Sequence, residues 1–384
     1  MNFKIIILQR ILPHYRAGIF RKICKRFPGT KVIYGQPFKN ESLKNSDDLS
    51  DDIFIKCSNS YFDRKGKVFI SNIFSRIKQI KPNIVISVFN VGNLNIYVLF
   101  ILRKFLKFRI ILWSFGYDPE SGFIPDKKIT DKIRLYLSQK ADAVIFYWDN
   151  GKHEVSRFSK KTDHYFTAPN TLDTVKQTEF KETFDLTGKE NIKAELGVSE
   201  RYHFVYIGRL LEDKQVDLLI KAYGLLDNEK GDCRLTIIGD GPEKDKLLDL
   251  SKELNLKNIY FTGELLDEEQ TGKWVYISDA FVMPGRLGLS VVHTFCFGTP
   301  VISQKKEKHF HGEGIGYVKD GINGFLVEDG NISELAEKMK LIISDNELSD
   351  RLRLNAFNTS LNECSVDNMI NGFERAIEYV SKSS

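Results

Sequence analysis

Apolar residues gather in short unbroken runs, separated by longer stretches where they recur at helical spacing. The runs over 3–8, 31–34, 84–88, 109–113 and 142–146 do not alternate with polar residues. That is the pattern of parallel strands covered on both faces. Helical spacing fills the intervals 15–26, 68–80, 94–107 and 126–139. Such βαβ punctuation predicts a doubly wound sheet. The stretch 174–193 is polar, contains Gly188 and shows no clear periodicity, so it reads as a linker. A second series then begins, with strands predicted over 203–207, 234–238, 258–261, 280–283 and 301–303 and helices over 215–226, 243–254, 268–276 and 289–297. A last strand over 324–327 precedes terminal helices. The expectation is an α/β protein of two Rossmann-like domains facing across a cleft, with domains over 1–173 and 194–365 and a final helix over 366–384 that packs back toward the first domain.

A chain of 384 residues suits two domains. No uninterrupted apolar run approaches the ~18 residues a spanning helix needs, and the opening Met1-Asn2-Phe3-Lys4-Ile5-Ile6-Ile7-Leu8 is too short for a secretory signal. Five scattered cysteines without a Cys-x-x-Cys pair indicate neither a zinc site nor a disulfide framework, and fit a reducing cytoplasm. The net charge of +5 hides a split: residues 1–180 carry 31 Lys+Arg against 16 Asp+Glu, and residues 181–384 carry 25 against 35. Within the basic half, residues 21–27 and 103–109 interleave cations with aromatic and aliphatic residues. Basic amphipathic helices of this kind favour an anionic membrane surface over nucleic acid.

Candidate chemistry concentrates in the second half. Tyr206-Ile207-Gly208-Arg209-Leu210 ends the first strand of that series, where open α/β sheets bind ligands. Gly208 lets backbone approach, Arg209 offers a fork of donors, and Lys214 follows just before a helix. Together these cations can neutralise a diphosphate without a metal. Ile237-Ile238-Gly239-Asp240-Gly241-Pro242 and Phe261-Thr262-Gly263 end the next two strands. The stretch from Pro284-Gly285-Arg286-Leu287-Gly288-Leu289 to Gly298-Thr299-Pro300 reads as loop, helix and Gly stop, with Gly288 where unpaired helix N–H groups suit a phosphate.

In order and spacing these motifs resemble the retaining glycosyltransferases of family four, which have the GT-B fold. The resemblance implies a donor site of Gly208, Arg209, Lys214, Gly239, Gly263, Gly285, Gly288, Leu289 and His293. It implies a nucleoside diphosphate sugar as co-substrate, with no further cofactor and no metal. Family members usually carry a Glu-x7-Glu pair here; Gly285 and His293 stand at those positions, so both carboxylates are missing. Gly285 keeps only its N–H for a sugar contact, and His293 can exchange a hydrogen bond with a ribose hydroxyl. Downstream, Lys308-His309-Phe310-His311-Gly312-Glu313-Gly314 reads as a loop closing over the donor, with Glu313 supplying a carboxylate. Two histidines and one glutamate there are a thin basis for a metal site. Asp320-Gly321-Ile322-Asn323-Gly324 matches the family's turn before its last strand.

In the first half, Leu12-Pro13-His14-Tyr15-Arg16 and Trp113-Ser114-Phe115-Gly116-Tyr117-Asp118 follow strand ends, which makes His14, Arg16, Tyr117 and Asp118 acceptor-side candidates. No P-loop, no Gly-x-Ser-x-Gly elbow and no Asp-x-Asp pair occurs. Charge on a leaving diphosphate therefore falls to Arg209, Lys214 and helix N–H groups, with Arg209, Lys214 and Glu313 as the catalytic candidates. The resemblance implies sugar transfer to the hydroxyl of a glycan or lipid-linked glycan, in bacterial capsule or lipopolysaccharide assembly. The setting expected is the cytoplasm, with peripheral contact on the inner face of the cell membrane. A sugar-nucleotide epimerase and a catalytically silent nucleotide-sugar binder are the alternatives.

Overall fold

The computed structural model describes residues 3–39, 41, 43–118, 121–230, 232–305 and 311–382, with backbone only for 227–230. The chain divides into two compact units, Met1–Asp173 with Val366–Ser384, and Thr174–Ser365.

The first unit contains β1 (Ile5–Gln9), α1 (His14–Arg26), β2 (Lys31–Tyr34), β3 (Phe54–Lys56), β4 (Asn59–Tyr61), β5 (Phe69–Ser71), α2 (Phe74–Ile80), β6 (Ile84–Val88), α3 (Asn95–Leu106), β7 (Arg109–Ser114), α4 (Ile129–Lys140), β8 (Ala143–Phe146), α5 (Asp149–Ser156) and β9 (Tyr165–Thr167). The second contains α6 (Thr174–Thr187), α7 (Lys189–Glu195), β10 (Tyr202–Ile207), α8 (Val216–Lys230), β11 (Cys233–Ile238), α9 (Lys244–Glu253), β12 (Ile259–Gly263), α10 (Glu268–Ile277), β13 (Ala280–Val282), α11 (Ser290–Cys296), β14 (Val301–Gln304), β15 (Gly324–Val327), α12 (Ile332–Ser344) and α13 (Asn346–Asn362). The last helix, α14 (Val366–Lys382), belongs to the first unit.

Each unit is built on one parallel sheet. The first has the order β3-β2-β1-β6-β7-β8-β9 and the second β12-β11-β10-β13-β14-β15. The central strands are buried along almost their whole length, as unbroken apolar runs require. Both sheets wind outward from a first strand and then restart on its other side, so each has a switch point, between β1 and β6 and between β10 and β13. Ligands of open α/β sheets sit at the carboxyl end of such a point. Helix α14 returns to the first sheet because Met369, Phe373, Ala376, Ile377 and Val380 form one apolar stripe, and Phe373 packs edge-on to Trp113 with ring centroids 5.1 Å apart.

Three expectations need correction. The stretch 174–193 is not an open linker: it forms α6 and α7, and both belong to the second unit. In α6, Phe180 and Phe184, four apart, supply one apolar face, and Phe184 stacks on Phe297 at 5.8 Å. Two anchors are too few to raise a visible period. The helix expected over 68–80 starts only at Phe74, because Phe69–Ser71 pairs antiparallel with Asn59–Tyr61. Ser71 Oγ there donates to Asn59 Oδ1 at 2.7 Å. Finally, the basic stretch 21–27 is not an open cationic face. Arg21 pairs with Asp48 and Asp51, Lys22 with Asp173, and Arg26 with Glu374, while Ile23 and Cys24 are buried.

Candidate functional site

The carboxyl end of the second sheet is stitched by backbone bonds between the very glycines the sequence singles out. Gly208 N–H donates to Ile238 at 3.0 Å and Gly239 N–H to Gly263 at 2.8 Å. Gly239 has φ +145°, and a Cβ there would lie 1.9 Å from the Gly208 carbonyl oxygen. Only glycine fits, so the ends of β10, β11 and β12 close together without side chains between them. Tyr206 Oη, on a fully buried ring, donates to the Arg209 carbonyl at 3.0 Å and folds the loop back. Arg209 itself is exposed on that loop.

Across the switch point, the loop after β13 packs directly on the segment that carries Lys214. Gly285 N–H donates to the Lys214 carbonyl at 3.0 Å and Arg286 N–H to Asp213 at 2.8 Å, while Lys214 Nζ donates to the Arg286 carbonyl. A Cβ at position 285 would lie 2.2 Å from the Asp213 carbonyl oxygen. The Gly285 N–H expected to face a sugar is therefore already engaged, because this loop is sealed against residues 213–214. Burial of the ammonium lowers the pKa of Lys214; the charge of Asp213 opposes that and Arg286 adds to it. Arg286 is the cation that sequence reasoning left without a role. It is half-buried, with Nη1 3.9 Å from Asp213 Oδ2.

Two residues beyond Arg286, Gly288, Leu289 and Ser290 open the short helix α11. Their N–H groups have no hydrogen-bond partner among the described residues. His293 lies on that helix, half-buried, edge-on to Phe297 at 5.3 Å. Burial lowers its pKa to about 4, against the opposing charge of Glu268, so the ring is neutral near pH 7.

Lys308, His309 and Phe310 of the expected closing loop lie outside the described residues. The described part docks on the start of α11. Gly312 N–H donates to the Leu287 carbonyl at 2.7 Å, and a Cβ at Gly314 would lie 2.2 Å from the Gly288 carbonyl oxygen. Glu313 sits between these two contacts and is half-buried. His311 is buried and fully used: its Nδ1 accepts from Leu287 N–H at 3.1 Å, which leaves Nε2 to donate to the Gln304 carbonyl at 2.9 Å. This ring is a pin for the loop, and neither nitrogen is left for a metal. Gln304, unremarked in the sequence, ends β14 fully buried, and its amide donates to Gln215 Oε1 at 3.0 Å. A glutamine closing an apolar parallel strand was its signal.

The first unit treats its candidates differently. His14 is exposed at the start of α1. Arg16 is buried: its Nη2 donates to Asn170 Oδ1 at 2.5 Å and its Cζ stands 4.8 Å over the Trp113 ring. Tyr117 was expected to face an acceptor, but it is a buried ring packed against Phe115 and Trp148. Burial pushes its phenol up to about 12. Its hydroxyl accepts from Asn150 Nδ2 at 3.2 Å. Asp118 is half-buried, 3.9 Å from Lys128 Nζ.

Residues 188–359, all inside the second unit, match the family model of the glycosyl transferases group 1. Alpha-D-kanosaminyltransferase of Streptomyces kanamyceticus is 23% identical over 238 residues, covering 60% of this chain and 59% of that protein. The lipopolysaccharide core biosynthesis glycosyltransferase LpsE of Rhizobium meliloti is 30% identical over 150 residues, 38% of this chain and 41% of that protein. The chain thus spans less than two thirds of either relative. The crystal structure of Anabaena Alr3699/HepE in complex with UDP matches with a TM-score of 0.72 at 16% identity, covering 98% of this chain and 99% of that one. The likeness is one of fold: α/β, two Rossmann-like domains of the GT-B type.

Proposed function

We propose that this chain is a glycosyltransferase that moves a sugar from a nucleoside diphosphate sugar to an acceptor hydroxyl. One observation carries the reading. At the glycine-lined switch point of the second sheet, Lys214 and Arg286 crowd together two residues before a run of unpaired N–H groups. Cations held this close, beside open backbone donors, form a sink for a diphosphate. Arg209 adds a third cation from the loop after β10. UDP is the favoured nucleotide, since the structural neighbour was crystallised with it.

In this reading Arg209, Lys214 and Arg286 stabilise the departing diphosphate, and His293, neutral, meets the ribose. Glu313 supplies the sugar-facing carboxylate that position 285 lacks. Transfer proceeds with retention, without a metal: a phosphate oxygen of the donor takes the acceptor's proton on the face from which the leaving group departs. The relative that serves lipopolysaccharide core biosynthesis supports a surface-glycan acceptor.

The membrane partner rests on α3 and α4. They flank β7 in the chain, and their C-terminal ends meet where Arg103 Nη1 donates to the Lys140 carbonyl at 3.3 Å. Ile101, Phe105, Ile129 and Tyr136 are exposed on them among Lys104, Lys132 and Lys140, and their single carboxylate, Asp131, is fully buried on Arg134. Among the described residues no helix is long and apolar enough to cross a membrane, so the contact proposed is peripheral. Sedimentation with anionic vesicles at low salt tests it: Ile101→Glu with Phe105→Glu releases the protein, and no binding by the wild type ends the idea.

Calorimetry with UDP-, GDP- and ADP-sugars, followed by a hydrolysis assay, tests the main reading. Binding with slow release of free sugar is the expected result. Interconversion of the donor identifies an epimerase, binding without turnover a silent binder, and no nucleotide binding removes the proposal.

A further inference from the structure

Among the described residues of the first unit, Arg16 is the buried Lys or Arg side chain, and it has no carboxylate partner. It occupies the first turn of α1, where the helix already presents partial positive charge. That turn has no acidic residue and no side-chain cap, and the N–H groups of His14 and Tyr15 have no partner among the described residues. Arg16 is 8% exposed. Other arginines drawn into this unit have a carboxylate: Arg10 has Glu41, Arg134 has Asp131, and Arg103 and Arg109 share Asp142. Arg16 has a neutral amide, Asn170, and the Trp113 face, while its Nη1 has no hydrogen-bond partner. Asp173, on the same stretch as Asn170, is bridged by Lys22. Two more buried donors at the strand ends lack partners, Gln9 Nε2 on β1 and Trp113 Nε1 on β7.

The result is a set of buried donors short of acceptors and without a counter-charge, at the carboxyl end of a parallel sheet and beside its switch point. Burying a charge without a counter-charge is costly, and a folded chain retains such an arrangement where a ligand brings the missing sign. We infer that this end of the first unit is an oxyanion site, in which the Arg16 guanidinium and the free N–H groups of α1 hold a phosphate or a carboxylate. On the transferase reading, the oxyanion is carried by the acceptor. The second unit already has its own cations for the donor's phosphates, so the acceptor is an anionic glycan and not a neutral sugar.

The test uses the full chain with saturating UDP, titrated with inorganic phosphate and with glucuronate. Tryptophan fluorescence, with Trp148→Phe and Trp274→Phe in the background so that it reports on Trp113, and thermal shift are the readouts. Arg16→Met keeps the stem on Trp113 and removes the charge; Arg16→Lys keeps the charge. Arg16→Met is expected to melt no lower than the wild type and to lose tenfold or more in apparent affinity for at least one anion, with Arg16→Lys recovering part of it. UDP affinity stays unchanged in both. No response of the wild type to either anion, or an undiminished response in Arg16→Met, overturns the site. A tenfold loss of UDP affinity in Arg16→Met assigns the oxyanion to the donor and overturns the acceptor assignment. An intact anion response in a wild type that binds no UDP upholds the site and removes the donor reading instead.

Discussion

Each sheet restarts beside its first strand, between β1 and β6 in one unit and between β10 and β13 in the other, yet the two carboxyl ends are furnished in opposite ways. After β10, side chains are stripped away: Gly208, Gly239 and Gly263 meet backbone to backbone, and Gly285 seals the facing loop onto residues 213–214. After β1 the chain fills the same place. Ile11 and Leu12 are buried, Arg10 is locked to Glu41, and Arg16 is folded under Asn170. Winding thus supplies a position for a ligand, and residue size decides what that position admits. At the stripped end glycine lets backbone close on backbone and leaves the N–H groups at the start of α11 open, while the crowded end keeps one buried guanidinium and the N–H groups at the start of α1.

The largest effect should come from restoring a side chain to the stripped end. Gly285→Ala puts a Cβ 2.2 Å from the Asp213 carbonyl oxygen and 2.4 Å from the Lys214 carbonyl carbon, against backbone that cannot turn away. It should destabilise the protein by about 3 kcal/mol and abolish measurable UDP binding, by thermal melt and calorimetry. Gly288→Ala is the control, because a Cβ there meets nothing within 4 Å; it should melt like the wild type. Equal behaviour of the two variants would break the contrast, since packing on residues 213–214 would then not be what shapes the loop. For the same reason Gly285→Glu, which restores the family residue, should not restore a sugar contact.

Next in size is Lys214→Ala. Its ammonium has a carbonyl partner but is close to Arg286, so its removal should leave the fold intact. Loss of one charge-assisted phosphate contact should lower kcat/KM roughly a hundredfold. Single-turnover donor consumption measures it, and a change below threefold would place the diphosphate elsewhere. Glu313→Gln should cost less, about tenfold in transfer, with UDP affinity unchanged because the carboxylate is assigned to the sugar. A tenfold loss of UDP affinity instead would move Glu313 to the nucleotide.

How much of this contrast could be read from residues alone differs between its two sides. The glycines of the second sheet were legible because each ends an apolar run, and strand ends are where the chain pattern is strongest. Lys214 was legible because it stands just before the helix that follows β10. Arg286 was not: its role depends on a loop folding back over residues 213–214, a contact between positions about seventy apart with no local signature. Gln304 and His311 form a buried polar chain that spans three segments, and sequence spacing carries no trace of it. In the first unit, Tyr117 reads like an open strand-end residue because Trp148, one of the rings that bury it, comes from the end of the next strand, β8. The basic stretch 21–27 reads like a free face because its partners Asp48, Asp51, Asp173 and Glu374 are scattered through the chain. Local chemistry was visible throughout, and long-range pairing was not.

The smallest effect concerns pH and separates the two roles of His293. Its folded pKa is about 4 and its unfolded value is near 6.5. Between those values the unfolded chain binds the proton and the folded one does not, so stability is full above about pH 6.5 and falls as pH drops toward 4. His203, buried between Ser278 and Thr236, is shifted in the same direction and adds to the slope. His293→Gln should therefore flatten the acid limb of a denaturation series by up to about one proton without abolishing it. Near neutral pH, where the ring is uncharged, glutamine can still exchange hydrogen bonds with a ribose hydroxyl. UDP affinity should stay within about threefold in His293→Gln and fall about tenfold in His293→Ala. An acid limb left unchanged by His293→Gln would mean that the ring is solvated in the folded state, and burial on α11 would then not be what keeps it neutral.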